Sequence, residues 1–71
     1  MLKFIHLTNA HNELRVGLNI EHIVGFFFEQ LDGVVAVEFR STNDEENVIH
    51  VKETFDEIEK MIYEYNDKIR A

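Results

Sequence analysis

Four histidines are the side chains best suited to bind a transition metal, because imidazole nitrogens are common zinc ligands. They are His6, His11, His22 and His50. If the first and fifth predicted strands pair, His6 and His50 become neighbours on the outer face of the sheet. No two of the four show the i,i+4 or His-x-His spacing that makes a metal site specific. The sequence therefore predicts solvated or interface histidines and no metal site.

The chain offers little that could act as a catalytic nucleophile. Ser41 is the only serine, and it lies in a polar loop without a Gly-x-Ser-x-Gly context. There is no cysteine, which excludes disulfides, Cys-based zinc sites and a thiolate nucleophile. The acidic run 44–46 lacks the spaced ligands and central glycine of a calcium loop, so we expect a solvated charge run. The sequence predicts a protein that is not an enzyme and binds no cofactor.

Three consecutive phenylalanines form the most unusual stretch. Successive strand residues point to opposite faces, so Phe27 lies on one face and Phe26 and Phe28 on the other. The single predicted helix covers only one face of a sheet, which leaves at least one large aromatic side chain uncovered. The sequence predicts a protein–protein interface formed by Phe26, Phe28, Val34 and Ala36, most simply in a homo-oligomer. The alternative is a closed barrel interior with one exposed ring.

Five short strands must position these residues. They are predicted at residues 2–8, 13–18, 24–29, 34–40 and 47–52. In the fourth strand, Val35, Val37 and Phe39 alternate with more polar or smaller residues and should face the core. Asn19 interrupts the alternation after the second strand, where it can cap a single helical turn. Asp32-Gly33 indicates a turn longer than the tight two-residue kind.

A C-terminal amphipathic helix follows the last strand. Thr54 and Glu57 form a capping-box pattern at its start. Its apolar face repeats at spacings of three and four residues. That face comprises Phe55, Ile58, Ile62, Tyr65 and Ile69. Every local signal agrees, so we expect this helix to pack across the sheet.

Composition limits the classes of protein that remain. The 71 residues make one domain, and chains this small bury only about 60% of their unfolded surface. Without cysteines, self-association is the most open route to extra stability. A net charge of −7 disfavours nucleic acid and anionic membranes. The first residues do not read as a signal peptide and no apolar run could span a bilayer, so we expect a cytoplasmic protein with no membrane insertion.

The predicted fold class is α+β, with a five-stranded antiparallel β-meander and one C-terminal amphipathic helix packed on it. The sheet could be open and curled or barrel-like, and the sequence leaves both forms open. The function that follows is that of a small non-enzymatic interaction module that self-associates. The alternative is a nucleic-acid-associated regulator of phage or mobile-element type, and a third is a ligand or metal binder using His6 and His50.

Short motifs along the chain resemble the FlbD/SwrD family of small bacterial proteins. They are Ile5-x-Leu7-Thr8, Asn19-x-x-x-Ile23 and Val51-Lys52-Glu53-Thr54. The resemblance implies an accessory role in flagellar or swarming motility and carries over no catalytic residues. The family usually has Asn-Gly at its turns, whereas here those turns are residues 10–13 and 43–46.

Overall fold

A computed structural model describes residues 4–41, 43 and 45–70, with side chains described up to residue 64. The described residues form five strands, one short 3₁₀ helix and one α-helix, which confirms the α+β class. The elements are β1 (Phe4–Thr8), β2 (Arg15–Asn19), the 3₁₀ helix (Ile20–His22), β3 (Ile23–Glu29), β4 (Val34–Arg40), β5 (Glu46–Val51) and α1 (Phe55–Arg70). Leu2, predicted in β1, and the side chains of Tyr65 and Ile69, predicted on the apolar helix face, lie outside this description.

The five strands form two antiparallel sheets, so the single meander needs correction. One sheet contains β1 and β2, and the other has the order β3-β4-β5. The sheets separate after Asn19, whose side chain accepts a hydrogen bond from the Glu21 amide and caps the 3₁₀ helix. This turn redirects the chain, so β2 and β3 do not pair. The strands do not close into a barrel, and the barrel-like alternative was wrong.

The two sheets are joined where β1 ends and β5 ends. Asn9 forms an isolated antiparallel bridge with Val51. The Lys52 amide donates to the Thr8 carbonyl at 2.9 Å. The Glu53 carboxylate then accepts from both the Thr8 amide, at 2.7 Å, and the Thr8 hydroxyl, at 2.9 Å. Glu53 therefore fastens the β1–β2 hairpin to the segment that leads into α1.

The core lies between the two sheets and the helix. Val35 and Val37 are buried and Phe39 packs against them, as their alternation predicted. Among the described side chains of α1, Ile58 is fully buried. Thr54 and Glu57 form the predicted capping box, with reciprocal backbone-to-side-chain bonds of 3.0 and 3.1 Å. The cap fixes where the helix begins and thereby places Ile58 over the sheet.

Two hairpin turns share one geometry. The Glu13 amide donates to the Asn9 carbonyl, and the Gly33 amide donates to the Glu29 carbonyl, both at 2.9 Å. The closing residue is left-handed in each, with φ of 62° at Glu13 and 68° at Gly33. The predicted longer turn at Asp32-Gly33 is confirmed. Glycine adopts this conformation without strain, whereas glutamate does so at a cost.

An ion pair accompanies the strained turn. The Lys52 ammonium donates a hydrogen bond to the Glu13 carboxylate on the surface. This hydrogen bond and the positive charge of Lys52 lower the pKa of Glu13. The pair links the β1–β2 turn to the residue that follows β5, beside the Glu53 contact.

No helix among the described residues is long and apolar enough to cross a membrane.

Replacing Glu53 tests whether its contacts with Thr8 hold the sheets together. Glu53→Ala leaves the part-buried Thr8 amide without its carboxylate acceptor, so we expect a loss of about 1–3 kcal/mol in the free energy of unfolding. Urea denaturation measures this loss. Glu59→Ala, at an exposed position of α1, is the matched control and should change stability by at most about 0.5 kcal/mol. Equal effects of the two substitutions would contradict the assignment.

The lowered pKa of Glu13 predicts a pH-dependent contribution to stability. The ionised carboxyl is favoured in the folded state, so the contribution is present above the ordinary glutamate pKa of about 4.3 and is lost as the pH falls through the lower folded pKa. The native chain should therefore lose its advantage over Glu13→Gln on acidification. Paired thermal melts from neutral to acid pH measure the difference, and a difference that stays constant would refute this role.

Candidate interaction surface

The third strand forms an edge of its sheet. Hydrogen bonds join β3 only to β4 among the described strands, so the opposite edge of β3 has no strand partner there. At about 3.3 Å per residue, its seven residues present an edge of roughly 23 Å. An open strand edge exposes backbone donors and acceptors that can pair with another chain.

The strand register assigns each phenylalanine to a face. Phe26 lies opposite Val37 and Phe28 opposite Val35, so both are on the face that carries the core. Phe27 lies opposite Ala36, on the outer face. The alternation predicted for the three rings is confirmed. The predicted grouping of Phe26 and Phe28 with Val34 and Ala36 needs correction, because the two pairs lie on opposite faces.

The remaining predicted interface residues also differ in exposure. Ala36 is fully buried although it belongs to the outer face, so in the isolated chain it contributes nothing to an exposed patch. Val34 is half-buried at the start of β4. Phe26 is half-buried and packs against the Phe55 ring, with 4.6 Å between ring centroids. Of the four, only Phe28 presents a largely exposed side chain.

Exposed apolar side chains concentrate on β3 and the turn that follows it. Phe27 is 42% exposed and Phe28 is 55% exposed, on opposite faces of the same strand. Val24 is 53% exposed at the point where the register with β4 shifts, and Leu31 in the turn is 94% exposed. We call Val24, Phe27, Phe28 and Leu31 the aromatic edge. Its apolar area flanks the unpaired backbone on both sides.

A shallow groove continues this apolar surface onto the helix. It has a volume of about 310 Å³ and is lined by Phe26, Glu59, Ile62 and Tyr63. The Tyr63 side chain is 63% exposed, so the groove is open to solvent along the helix. Apolar lining with few polar groups suits an inserted side chain better than a charged ligand.

The aromatic edge carries little of the protection usual in exposed edge strands. Such strands are commonly blunted by lysines, prolines or inward-pointing charges. The sequence of β3 is IVGFFFE, with one carboxylate at its end and neither lysine nor proline. The register shift near Gly25 is its only irregularity. An edge strand of this composition is open to pairing with another chain.

The serine and the acidic run considered in the sequence do not come together in one site. The Ser41 hydroxyl accepts from the Asn43 amide at 3.4 Å within a polar loop. Glu46 lies 3.9 Å from the Arg40 guanidinium, and Asp44 is outside the described residues. Over the described chain, no three His, Cys, Asp or Glu side chains form a group that could hold a metal ion.

The histidines are arranged differently from the prediction. Only the ends of β1 and β5 meet, so His6 is not beside His50; it lies opposite Gly17, on β2. The histidine next to His50 is His11, from the β1–β2 turn. The proposed use of His6 with His50 therefore needs correction. Sequence spacing gives no signal for this pair, because it is the hydrogen bond from the Ala10 amide to the His50 carbonyl that brings His11 over β5.

Comparisons with known protein families, curated proteins and solved structures gave no match to this chain. The resemblance to the FlbD/SwrD family therefore stays a prediction. The residues that carry its best-matching motif have structural contacts: Val51 is buried, Glu53 binds Thr8, and Thr54 caps the helix.

The face assignment predicts different consequences for two adjacent phenylalanines. Phe26→Ala removes a ring that packs on the core and on Phe55, so we expect a loss near the low end of the roughly 3–5 kcal/mol range for such truncations. Phe27→Ala removes an outer ring and should cost about 1 kcal/mol or less. Chemical denaturation at low protein concentration measures both, and a larger loss for Phe27→Ala would reverse the assignment.

Proposed function

We propose that this protein is a non-enzymatic interaction module that self-associates by pairing β3 with β3 of a second copy. The observation that supports this most is the exposure of Phe27 and Phe28 on opposite faces of one edge strand. Stacking two outer faces would cover Phe27 alone. Antiparallel pairing of two edges covers both rings, because side chains from each strand flank the new junction on either face.

A second copy of the chain is the partner that the open edge of β3 favours. An antiparallel two-fold pairing of identical strands is self-complementary and joins the two three-stranded sheets into one six-stranded sheet. It satisfies the open backbone groups of both edges at once. A small domain without disulfides also gains stability from the added apolar burial.

The net charge makes this self-association depend on the salt concentration. Each copy carries a net charge of −7, so two copies repel each other at long range. Salt screens this repulsion, with a Debye length of about 8 Å at physiological ionic strength. Self-association through an apolar edge should therefore strengthen as the salt concentration rises, whereas binding to nucleic acid should weaken.

The alternative of a nucleic-acid-associated regulator has less support. Among the described side chains, Lys52, Arg40 and Lys60 each lie within 4.0 Å of a carboxylate. These pairs reduce the positive charge available to bind phosphates. A motility role, which rests on the resemblance to FlbD/SwrD, and a cytoplasmic location belong to the same proposal.

Light scattering behind size exclusion, across a range of protein and salt concentrations, tests the proposal. The native chain should show a mass above the 8.4 kDa of one copy, rising with concentration. Phe28→Asp and Phe27→Asp should each weaken association at least about tenfold, roughly 1.4 kcal/mol. A native mass of 8.4 kDa at every concentration would overturn self-association.

Val48→Asp is the matched control for these two variants. Val48 is 54% exposed and lies on the outer face of β5, across the sheet from β3. It receives the same added charge but lies away from the proposed pairing edge. Its mass should follow that of the native chain. Dissociation by Val48→Asp with no effect of Phe28→Asp would indicate face-to-face stacking and contradict edge pairing.

A further inference from the structure

We infer that His11 and His50 form a two-nitrogen chelate for a divalent transition metal such as Zn²⁺. His11 Nε2 lies 3.4 Å from His50 Nδ1. At Zn–N distances of about 2.0–2.1 Å, two ligands of a tetrahedral ion lie about 3.4 Å apart. The separation of the two nitrogens therefore matches the spacing that the ion requires.

Asp32 lies behind His50, facing the ring nitrogen that is turned away from His11. Its Oδ2 atom lies 3.7 Å from His50 Nε2, on the opposite side of the ring from His11. The two ring nitrogens of His50 therefore face different partners, with Nδ1 toward His11 and Nε2 toward Asp32. In zinc sites, a carboxylate behind a ligating histidine commonly orients the ring.

The backbone holds the three side chains together from separate elements. The Ala10 amide donates to the His50 carbonyl at 2.8 Å, which brings the β1–β2 turn over the end of β5. Asp32 belongs to the β3–β4 turn, the one with the same geometry as the β1–β2 turn. The site thus lies where two similar turns meet β5.

The two histidines favour transition-metal ions and reversible binding. Imidazole favours Zn²⁺, Cu²⁺ and Ni²⁺, whereas Mg²⁺ and Ca²⁺ prefer oxygen ligands. The His50 side chain is 27% exposed and His11 is exposed, so an ion can enter and leave. The His11 and His50 rings are nearly perpendicular, at 84°, and the exposed His11 ring has room to rotate toward a shared ion. Water completes the coordination, which makes this an exchangeable site.

Zinc titration of the full chain tests this inference. Isothermal titration calorimetry should show one saturable Zn²⁺ site per chain, and Zn²⁺ should raise the melting temperature, because the ion binds the folded state. Mg²⁺ at the same concentration should do neither. His11→Ala and His50→Ala should each abolish the saturable site.

His6→Ala is the matched control, since His6 is exposed on β1 and lies opposite Gly17. It should bind Zn²⁺ as the native chain does. Binding that survives in both His11→Ala and His50→Ala would indicate attraction to the acidic surface and would overturn the site. The absence of any zinc-dependent heat or melting shift in the native chain would overturn it equally.

Discussion

The contacts between Glu53 and Thr8 are the constraint on which the two-sheet arrangement depends. One carboxylate accepts from both the amide and the hydroxyl of Thr8, beside a backbone bond from Lys52. These bonds hold β1 against the segment between β5 and α1. The same segment carries the helix cap at Thr54, so one short stretch fixes the hairpin and the start of α1. Burial of Ile5, Leu7, Val51 and Ile58 around this junction follows from it.

This arrangement decides which strand edges are left open. The end of β5 is bridged to Asn9, and the β1–β2 turn folds over it. On the other side of the sheet, β3 has only β4 as a strand partner within the described chain. Among the described residues, the hairpin pairs with no strand at the free edge of β3. The chain thus places its three consecutive phenylalanines on the edge that its own fold leaves without a strand.

Local sequence signals predicted the elements well, because alternation, capping and turn residues act over a few positions. They could not predict pairing over long distances. Three adjacent phenylalanines are equally apolar in either phase, so only the register with Val35, Ala36 and Val37 shows which ring faces inward. His11 was not predicted beside His50, because only the ends of β1 and β5 meet. Glu13 occupies a left-handed position usual for glycine, which its residue type does not indicate.

The central claim is that the open edge of β3 pairs with a second copy. Amide hydrogen exchange of β3, followed by NMR as the protein concentration rises, tests it most directly. Amides of β3 that are not bonded to β4 should exchange fast in dilute solution and slow markedly on concentration, while exposed amides of β2 stay unchanged. Exchange rates of β3 that do not depend on concentration would contradict edge pairing, even if the mass of the protein showed an oligomer.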